Sequence, residues 1–542
     1  MHLDLHAAET DIQRNTEVCI IGAGAAGIIA ARHLLAAGHE VTLLESGGLD
    51  YEAETAKLNA GQNVGEDYYD LQDARLRFFG GTTAIWGGRV AELDPIDLKA
   101  RSWVPHSGWP IGWDELSDYY AKARPQFELP AAAPDLATIG QDALPRPVFD
   151  EDELATRLWI FDRKFDRFTF KACADLVAHP RCTIITHATT TDIALASSGG
   201  TVREITAASL NGRRLTLRAQ AFMLAAGGME NPRLLLASRG VMPMGVGNAH
   251  DQVGRYFMEH PHARGGRVVG RGAWALLKAF GRSHAVDGQS LAALLAPSEA
   301  LQEREGVLNT SLTIAARPPA DGKAFAVVRA YSKAKHGLEP TKAGRTMWMA
   351  TKKAATWAQR KVDPLRPWLL YKAGLRDLAL VIRAEQSPNP DSRIRLTDQT
   401  DALGLPRAAL DWRTNALDVR SVDRLVAALD RELRRLKMGR VEAADWLSDP
   451  NGGWRTDPLV SVHPIGGYHH MGTTRMSDDP KQGVVDADGR VHGVDNLYVL
   501  GSSVFPTSGW ANPTLTIAAL ALRASDKVAD ALASSRIIGA RA

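Results

Sequence analysis

Glu17-Val18-Cys19-Ile20-Ile21-Gly22-Ala23-Gly24-Ala25-Ala26-Gly27-Ile28 is the stretch that decides the fold. The apolar, β-branched run 17–21 reads as a strand buried on both faces. Gly22, Gly24 and Gly27 then form GxGxxG, and 28–37 reads as a helix stopped near Gly38. A second strand, 40–44, ends at Glu45. The three glycines serve different ends. Gly22 permits the tight turn, Gly24 lets backbone approach a pyrophosphate, and Gly27 lets the helix pack closely on the strand. The helix start, with Ala25 and Ala26, faces the phosphates. Glu45 stands 23 residues after Gly22, where an acid accepts hydrogen bonds from adenosine ribose hydroxyls and disfavours a 2′-phosphate; Ser46 follows it. The motif alone does not choose between NAD and FAD, and a purely structural βαβ unit is the other reading.

The rest of the chain bounds the answer. Its 542 residues exceed the size of one hydrophobic core, so two or three domains are expected. With 45% hydrophobic and 23% charged residues the composition is that of an ordinary globular protein, and a net charge of +2 gives no drive towards nucleic acid. Cys19, Cys173 and Cys182 form no CxxC pair, which argues against a disulfide framework or a zinc site; no metal is expected. Residues 1–15 are polar, and no run approaches about 18 apolar residues, so the expected location is cytoplasmic.

Six further segments bear on the cofactor. Phe79-Gly80-Gly81-Thr82-Thr83-Ala84-Ile85-Trp86-Gly87-Gly88 is rich in small residues. Ala225-Ala226-Gly227-Gly228-Met229-Glu230-Asn231-Pro232 and Val253-Gly254-Arg255-Tyr256-Phe257-Met258-Glu259-His260-Pro261 follow in order. Near the end come His469-His470-Met471-Gly472-Thr473-Thr474-Arg475-Met476, then Leu497-Tyr498-Val499-Leu500-Gly501-Ser502, then Gly509-Trp510-Ala511-Asn512-Pro513-Thr514-Leu515-Thr516. In content, order and spacing these resemble the glucose–methanol–choline (GMC) oxidoreductases, and HxxGTxRM with ANPTLT is most similar to the pyranose oxidase and bacterial sugar or glycoside branch.

The resemblance implies an α/β fold, α+β overall. A Rossmann-like FAD-binding domain (1–98, 217–265 and 460–542) is interleaved with a substrate domain of antiparallel sheet and helices (99–216 and 266–459). It implies FAD contacts from Gly81, Thr82, Thr83, Trp86, Gly87, Gly501, Ser502, Pro513 and Thr514. It also implies that His469, three residues before Gly472-Thr473, and Asn512, 43 residues later, are the catalytic pair. In pyranose oxidases a histidine directly before the tryptophan of the glycine loop tethers the flavin; that position is Ile85 here, so the FAD is expected to be non-covalent.

Oxidation of an alcohol needs a base for the hydroxyl proton, a carbon held against flavin N5 for hydride transfer, and stabilisation of the reduced ring's negative charge. A neutral imidazole suits the first role. Composition does not rank His463, His469 and His470; the resemblance selects His469, with His470 pointing away because adjacent side chains diverge. A packed structural histidine is the competing reading of His469, and a plain helix N-cap that of Asn512. The same helix, starting near Pro513, would bring its N–H groups and dipole to the flavin. The expected substrate is a secondary hydroxyl of a sugar or glycoside; a primary, polyol or aryl alcohol is the runner-up. A lyase or decarboxylase using the same fold, or a non-catalytic subunit, are the readings from other classes. The electron acceptor, whether dioxygen, a quinone or a redox protein, is left open, as is the oligomeric state.

In the substrate region, 183–186 reads as a strand, Asn389-Pro390-Asp391 as a turn and 419–436 as an amphipathic helix. From 333 to 376, eleven Lys or Arg face two acids, Glu339 and Asp363, interleaved with Trp348, Trp357, Trp368 and Tyr371. Such a segment suits an anionic membrane surface, an acidic partner or a phosphorylated substrate, or is a solvated helix pair.

Overall fold

Strand Ile12–Ile21 is the spine of an eight-stranded sheet. In spatial order the sheet runs His2–Asp4, Cys182–Thr186, Val41–Leu44, Ile12–Ile21, Arg214–Leu224, Val202–Ala208 and Thr189–Leu195, with Leu497–Val499 also paired to Arg214–Leu224. The first five and Leu497–Val499 are parallel, and the last two join antiparallel. The computed structural model describes all residues except 163, 165, 321–339, 450–451, 462–464 and 542.

The spine is longer than 17–21 because Ile12 to Thr16 pair with Leu215 to Ala219, a polar ladder that leaves no apolar period to read. Helix Ala25–Ala36 starts directly after Gly24, with Gly27 in its first turn, and packs on the C-terminal helix Thr514–Arg541. The strands Cys182–Thr186, Thr189–Leu195 and Val202–Ala208, expected in the substrate part 99–216, belong to this first sheet. Every residue of Cys182–Thr186 is buried between His2–Asp4 and Val41–Leu44, as parallel strands covered on both faces require. Cys19, Cys173 and Cys182 are buried and free.

The second sheet is antiparallel: Arg440–Ala443, His262–Val269, Asp377–Arg383, Ser311–Arg317, Gln289–Pro297, Leu154–Phe161 and Arg89–Val90, with His284–Val286 paired to Gln289–Pro297. His262–Val269 thus crosses the expected boundary at 265 and lies wholly in this sheet. Helix Ala416–Arg435 covers part of it. Its Asn415 cap accepts from Leu417 and Asp418 N–H while Asp418 accepts from Asn415 N–H, a capping box whose loss typically costs about 1 kcal/mol. Val422, Leu425, Val426, Leu429 and Leu433 recur at helical spacing and are all buried. The turn at Asn389 is closed by Ser392 N–H donating to Asn389 O at 3.1 Å and Asp391 N–H donating to Asn389 Oδ1 at 2.9 Å.

Residues 333–339 of the basic segment lie outside the described residues. The remainder folds as helices Lys342–Val362 and Leu365–Lys372. Asp50 anchors it, accepting from Lys342 N–H at 3.0 Å and from the Arg345 guanidinium at 2.8 Å. Trp368 packs edge-on against Trp274 at 5.7 Å, whereas Trp357 is 63% exposed. Among the described residues no helix is long and apolar enough to cross a membrane.

Candidate active site

The glycine loop opens on a cleft lined from both halves of the molecule. Gly22 turns with φ +109°, and a Cβ there would stand 2.6 Å from Ala225 O. A Cβ on Gly27 would stand 2.0 Å from Gly22 O, so this glycine sits behind the loop and sets helix against strand. A Cβ on Gly24 would meet nothing within 4 Å: its face is turned to the cleft. Every residue expected to touch the cofactor lines the cleft except Gly27.

Gly80, at φ +94°, donates its N–H to Ala23 O at 2.8 Å and lays the second loop, Gly81–Ile85, on the first. Glu45 accepts from Ala23 N–H at 3.1 Å and Gly47 N–H at 2.9 Å, so its carboxylate braces the glycine loop as well as reaching the cleft wall. Burial raises its pKa, and these bonds with Arg77 oppose the rise. Beside it Glu230 is gripped by Arg75 at 2.5 Å, Arg77 at 2.6 Å and Arg233 at 3.2 Å. Burial alone would raise the Glu230 pKa, but the three guanidiniums hold it far below the usual carboxylate range. Two loops free of side-chain bulk, an acid at the nucleoside end and the start of helix Thr514–Arg541 at the other form a cradle that fits FAD.

At that other end an isolated antiparallel bridge, Met258↔Met471, joins two distant segments with both N–H···O bonds at 3.0 Å. Two residues from it on each side, by the period of an extended chain, His260 and His469 meet edge to face, ring centroids 4.9 Å apart. His260 Nδ1 lies 2.8 Å from His469 Nδ1, and His260 Nε2 faces the carbonyls of Gly509 at 2.9 Å and Ser508 at 3.3 Å. Asn512 Nδ2 is 3.3 Å from His469 Nε2. Tyr468, at φ +59°, and Gly472, at φ +83°, hold the turn, and a Cβ on Gly467 would press within 2.7 Å of the His469 ring. His463 lies outside the described residues. His470 points away into a buried aromatic cluster, its Nε2 3.0 Å from Tyr68 Oη, and burial pushes its pKa down to about 3.

The His260–His469 contact fixes proton positions. Carbonyls only accept, so His260 Nε2 carries a proton. Burial pushes the His260 pKa down to about 4, against the opposing pull of those carbonyls, so the ring is neutral at pH 7 and Nδ1 is a lone pair. His469 Nδ1 must then donate to it. In neutral His469 the lone pair is left on Nε2, beside the Asn512 amide on the cleft wall.

Comparison with known proteins agrees with this architecture. A family model described as GMC oxidoreductase matches residues 388–521, and one described as FAD dependent oxidoreductase matches residues 17–245. The chain belongs to the GMC oxidoreductases. It is an FAD-dependent oxidoreductase of that family. It is 26% identical to a paromamine 6'-oxidase of Streptomyces fradiae over 97% of this chain and 93% of the other. A C-glycoside 3-oxidase of Arthrobacter globiformis is 32% identical over 26% of this chain and 24% of its own. The fold resembles pyridoxine 4-oxidase from Mesorbium loti, with TM-score 0.53 and 16% identity, covering 95% of this chain and 99% of that one.

Within this GMC enzyme the sequence alone gives no role to His260 or Glu259, although both stand in the segment 253–261. Glu259 is fully buried and accepts from Gly467 N–H at 2.7 Å, His469 N–H at 2.9 Å and Tyr68 O–H at 2.9 Å. It pins the backbone that carries His469. The adjacent acid and histidine in Glu259-His260-Pro261 were the available signal.

Proposed function

We propose that this enzyme oxidises a secondary hydroxyl of a sugar or glycoside to a ketone, with His469 as the base. The observation that carries the reading is the proton order across Gly509 O, His260 and His469, which leaves the basic lone pair of His469 on Nε2. A substrate hydroxyl between His469 Nε2 and Asn512 Nδ2 would give its proton to Nε2 and take a hydrogen bond from the amide. FAD, when bound, supplies a two-electron acceptor for the hydride leaving the carbinol carbon. The carbinol C–H and O–H bonds break, the C–O bond becomes C=O, and the proton stays on Nε2. The imidazolium that results still donates from Nδ1 to neutral His260. Ile85, an alkyl group on the cleft wall, offers no atom for a flavin tether. The glycoside class is supported by the resemblance to a C-glycoside 3-oxidase and to a paromamine 6'-oxidase.

Anaerobic bleaching of the flavin by a panel of sugars, glycosides and simple alcohols tests the class, with the product analysed as ketone or aldehyde. His469→Ala, with FAD retained, should slow that bleaching about 10²- to 10⁴-fold, the range for a general base. Near-normal bleaching in the variant would sink the assignment.

A further inference from the structure

The second sheet carries a concentration of positive charge that the oxidation chemistry does not use. Ladder register places it: Arg89 pairs with Phe161, Trp159 with Ala292, and Arg383 with Ser311, while Arg317 follows Ser311 on the same strand at an even spacing. Period-two alternation therefore projects Arg89, Trp159, Arg317 and Arg383 from one face. Arg89 and Arg383 each set a guanidinium 5.2 Å from the centre of the Trp159 ring.

Among the described residues no carboxylate forms an ion pair with any of the three arginines; Asp377, opposite Arg317 in the ladder, is held by Arg264 and Arg267. Burial alone depresses the Arg89 pKa, and burial with the two neighbouring guanidiniums depresses that of Arg383. Their hydrogen bonds are sparse: Arg383 reaches Thr313 Oγ1 at 3.3 Å, and Arg317 reaches only the Val460 and Ala316 carbonyls. Arg89 Nε and Trp159 Nε1 are buried donors without an acceptor, and Trp159 is only 3% exposed. Buried donors are almost always satisfied, so a cluster of unsatisfied ones beside a cleft marks a place for a ligand's acceptors. The cleft is the one described above: Arg89 lines it together with His469 and Asn512, and the Trp159 ring lies 6.3 Å from that of Trp510.

We propose that Arg89 and Arg383, which flank Trp159, with Arg317 on the same sheet face, form a subsite for an oxyanion, a carboxylate or phosphate, carried by the alcohol substrate. The preferred substrate is then an acidic sugar derivative, a sugar acid or a sugar phosphate, rather than a neutral sugar. Guanidinium forks match both groups bidentately, and a low-dielectric wall strengthens the attraction. The inference rests on the alcohol-oxidation reading for what happens next, but not for the binding itself.

Binding is read on the oxidised holoenzyme by calorimetry, with D-gluconate for the carboxylate, D-glucose 6-phosphate for the phosphate, and D-glucitol and D-glucose as uncharged counterparts. At least one anion should bind about tenfold or more tightly than its counterpart, and that ratio should fall towards one in Arg89→Met. Arg89→Lys, which keeps charge but loses the fork, should lie between. Equal affinities for charged and uncharged compounds, a comparison that needs no variant, would overturn the proposal, as would an anion preference unchanged in Arg89→Met. Flavin absorbance is read separately from the binding ratio, so a failure of these compounds to bleach it counts against the oxidation reading and leaves the ratio standing.

Discussion

Three arginines converge in each of two regions of this molecule, and the two groups are built on opposite principles. At the nucleoside end Arg75, Arg77 and Arg233 close on Glu230, and Arg233 also meets Asp401 at 2.7 Å. On the second sheet Arg89 and Arg383 close on an indole ring, Arg317 stands on the same face, and among the described residues none of the three forms an ion pair with a carboxylate. The first group is met by two carboxylates of the chain and serves to lock Gly227–Ala237 to the loop before the second glycine segment. The second is left charged, which a protein tolerates only where a ligand supplies the missing sign. What separates structure from function here is not the arginines but whether their counter-charge is covalently part of the chain.

The largest effect expected from testing that contrast comes from removing the built-in counter-charge. Glu230→Ala strands the buried Arg75 and Arg77 and leaves Arg233 only Asp401, and should cost about 3–5 kcal/mol, read as a lower midpoint for thermal release of FAD. An unchanged midpoint would mean that the two groups do not differ as argued. Arg383→Met should act the other way: it removes an uncompensated charge and should leave the ligand-free enzyme as stable or more stable, by on the order of 1 kcal/mol after the lost cation–π contact. A marked drop in its melting midpoint would assign Arg383 a structural role.

A further effect is a pH dependence. The Glu230 pKa is depressed in the folded state, so its stabilisation is full above the unfolded carboxylate value, about 4.5, and is lost as pH falls below it. Between pH 5 and pH 3 the native enzyme should therefore lose stability more steeply than Glu230→Gln, by up to about 1.4 kcal/mol per pH unit. The arginine group on the second sheet has no carboxylate to titrate. Urea midpoints across that range check the difference in slope, and parallel curves would remove Glu230 from the account.

The two halves also differed in how far they could be read. The cofactor cradle was legible because its constraints are short-range: Gly22, Gly24 and Gly27 are needed by a turn and a helix start within a few residues. The pair His469 and Asn512 was legible through motif content, and the structure places them 3.3 Å apart. The extent of the first sheet was less so: Cys182–Thr186 is covered on both faces and carries no alternation that would assign it to one sheet or the other. His260 escaped because its partner lies 209 residues away. The arginine subsite escaped because Arg89, Arg317 and Arg383 stand on three strands, and nothing about each alone distinguishes it from a surface arginine.

By itself the sequence determined the backbone cradle for a dinucleotide, the family, and which histidine stands before the Gly-Thr pair. Those are consequences of local sterics and of residue order. Only the tertiary structure decided which nitrogen of His469 faces His260 and which charged side chains reach its cleft. A tautomer follows from hydrogen-bond partners brought from elsewhere in the chain. The charge of a cavity is a sum over strands, set by register and not by any one of them.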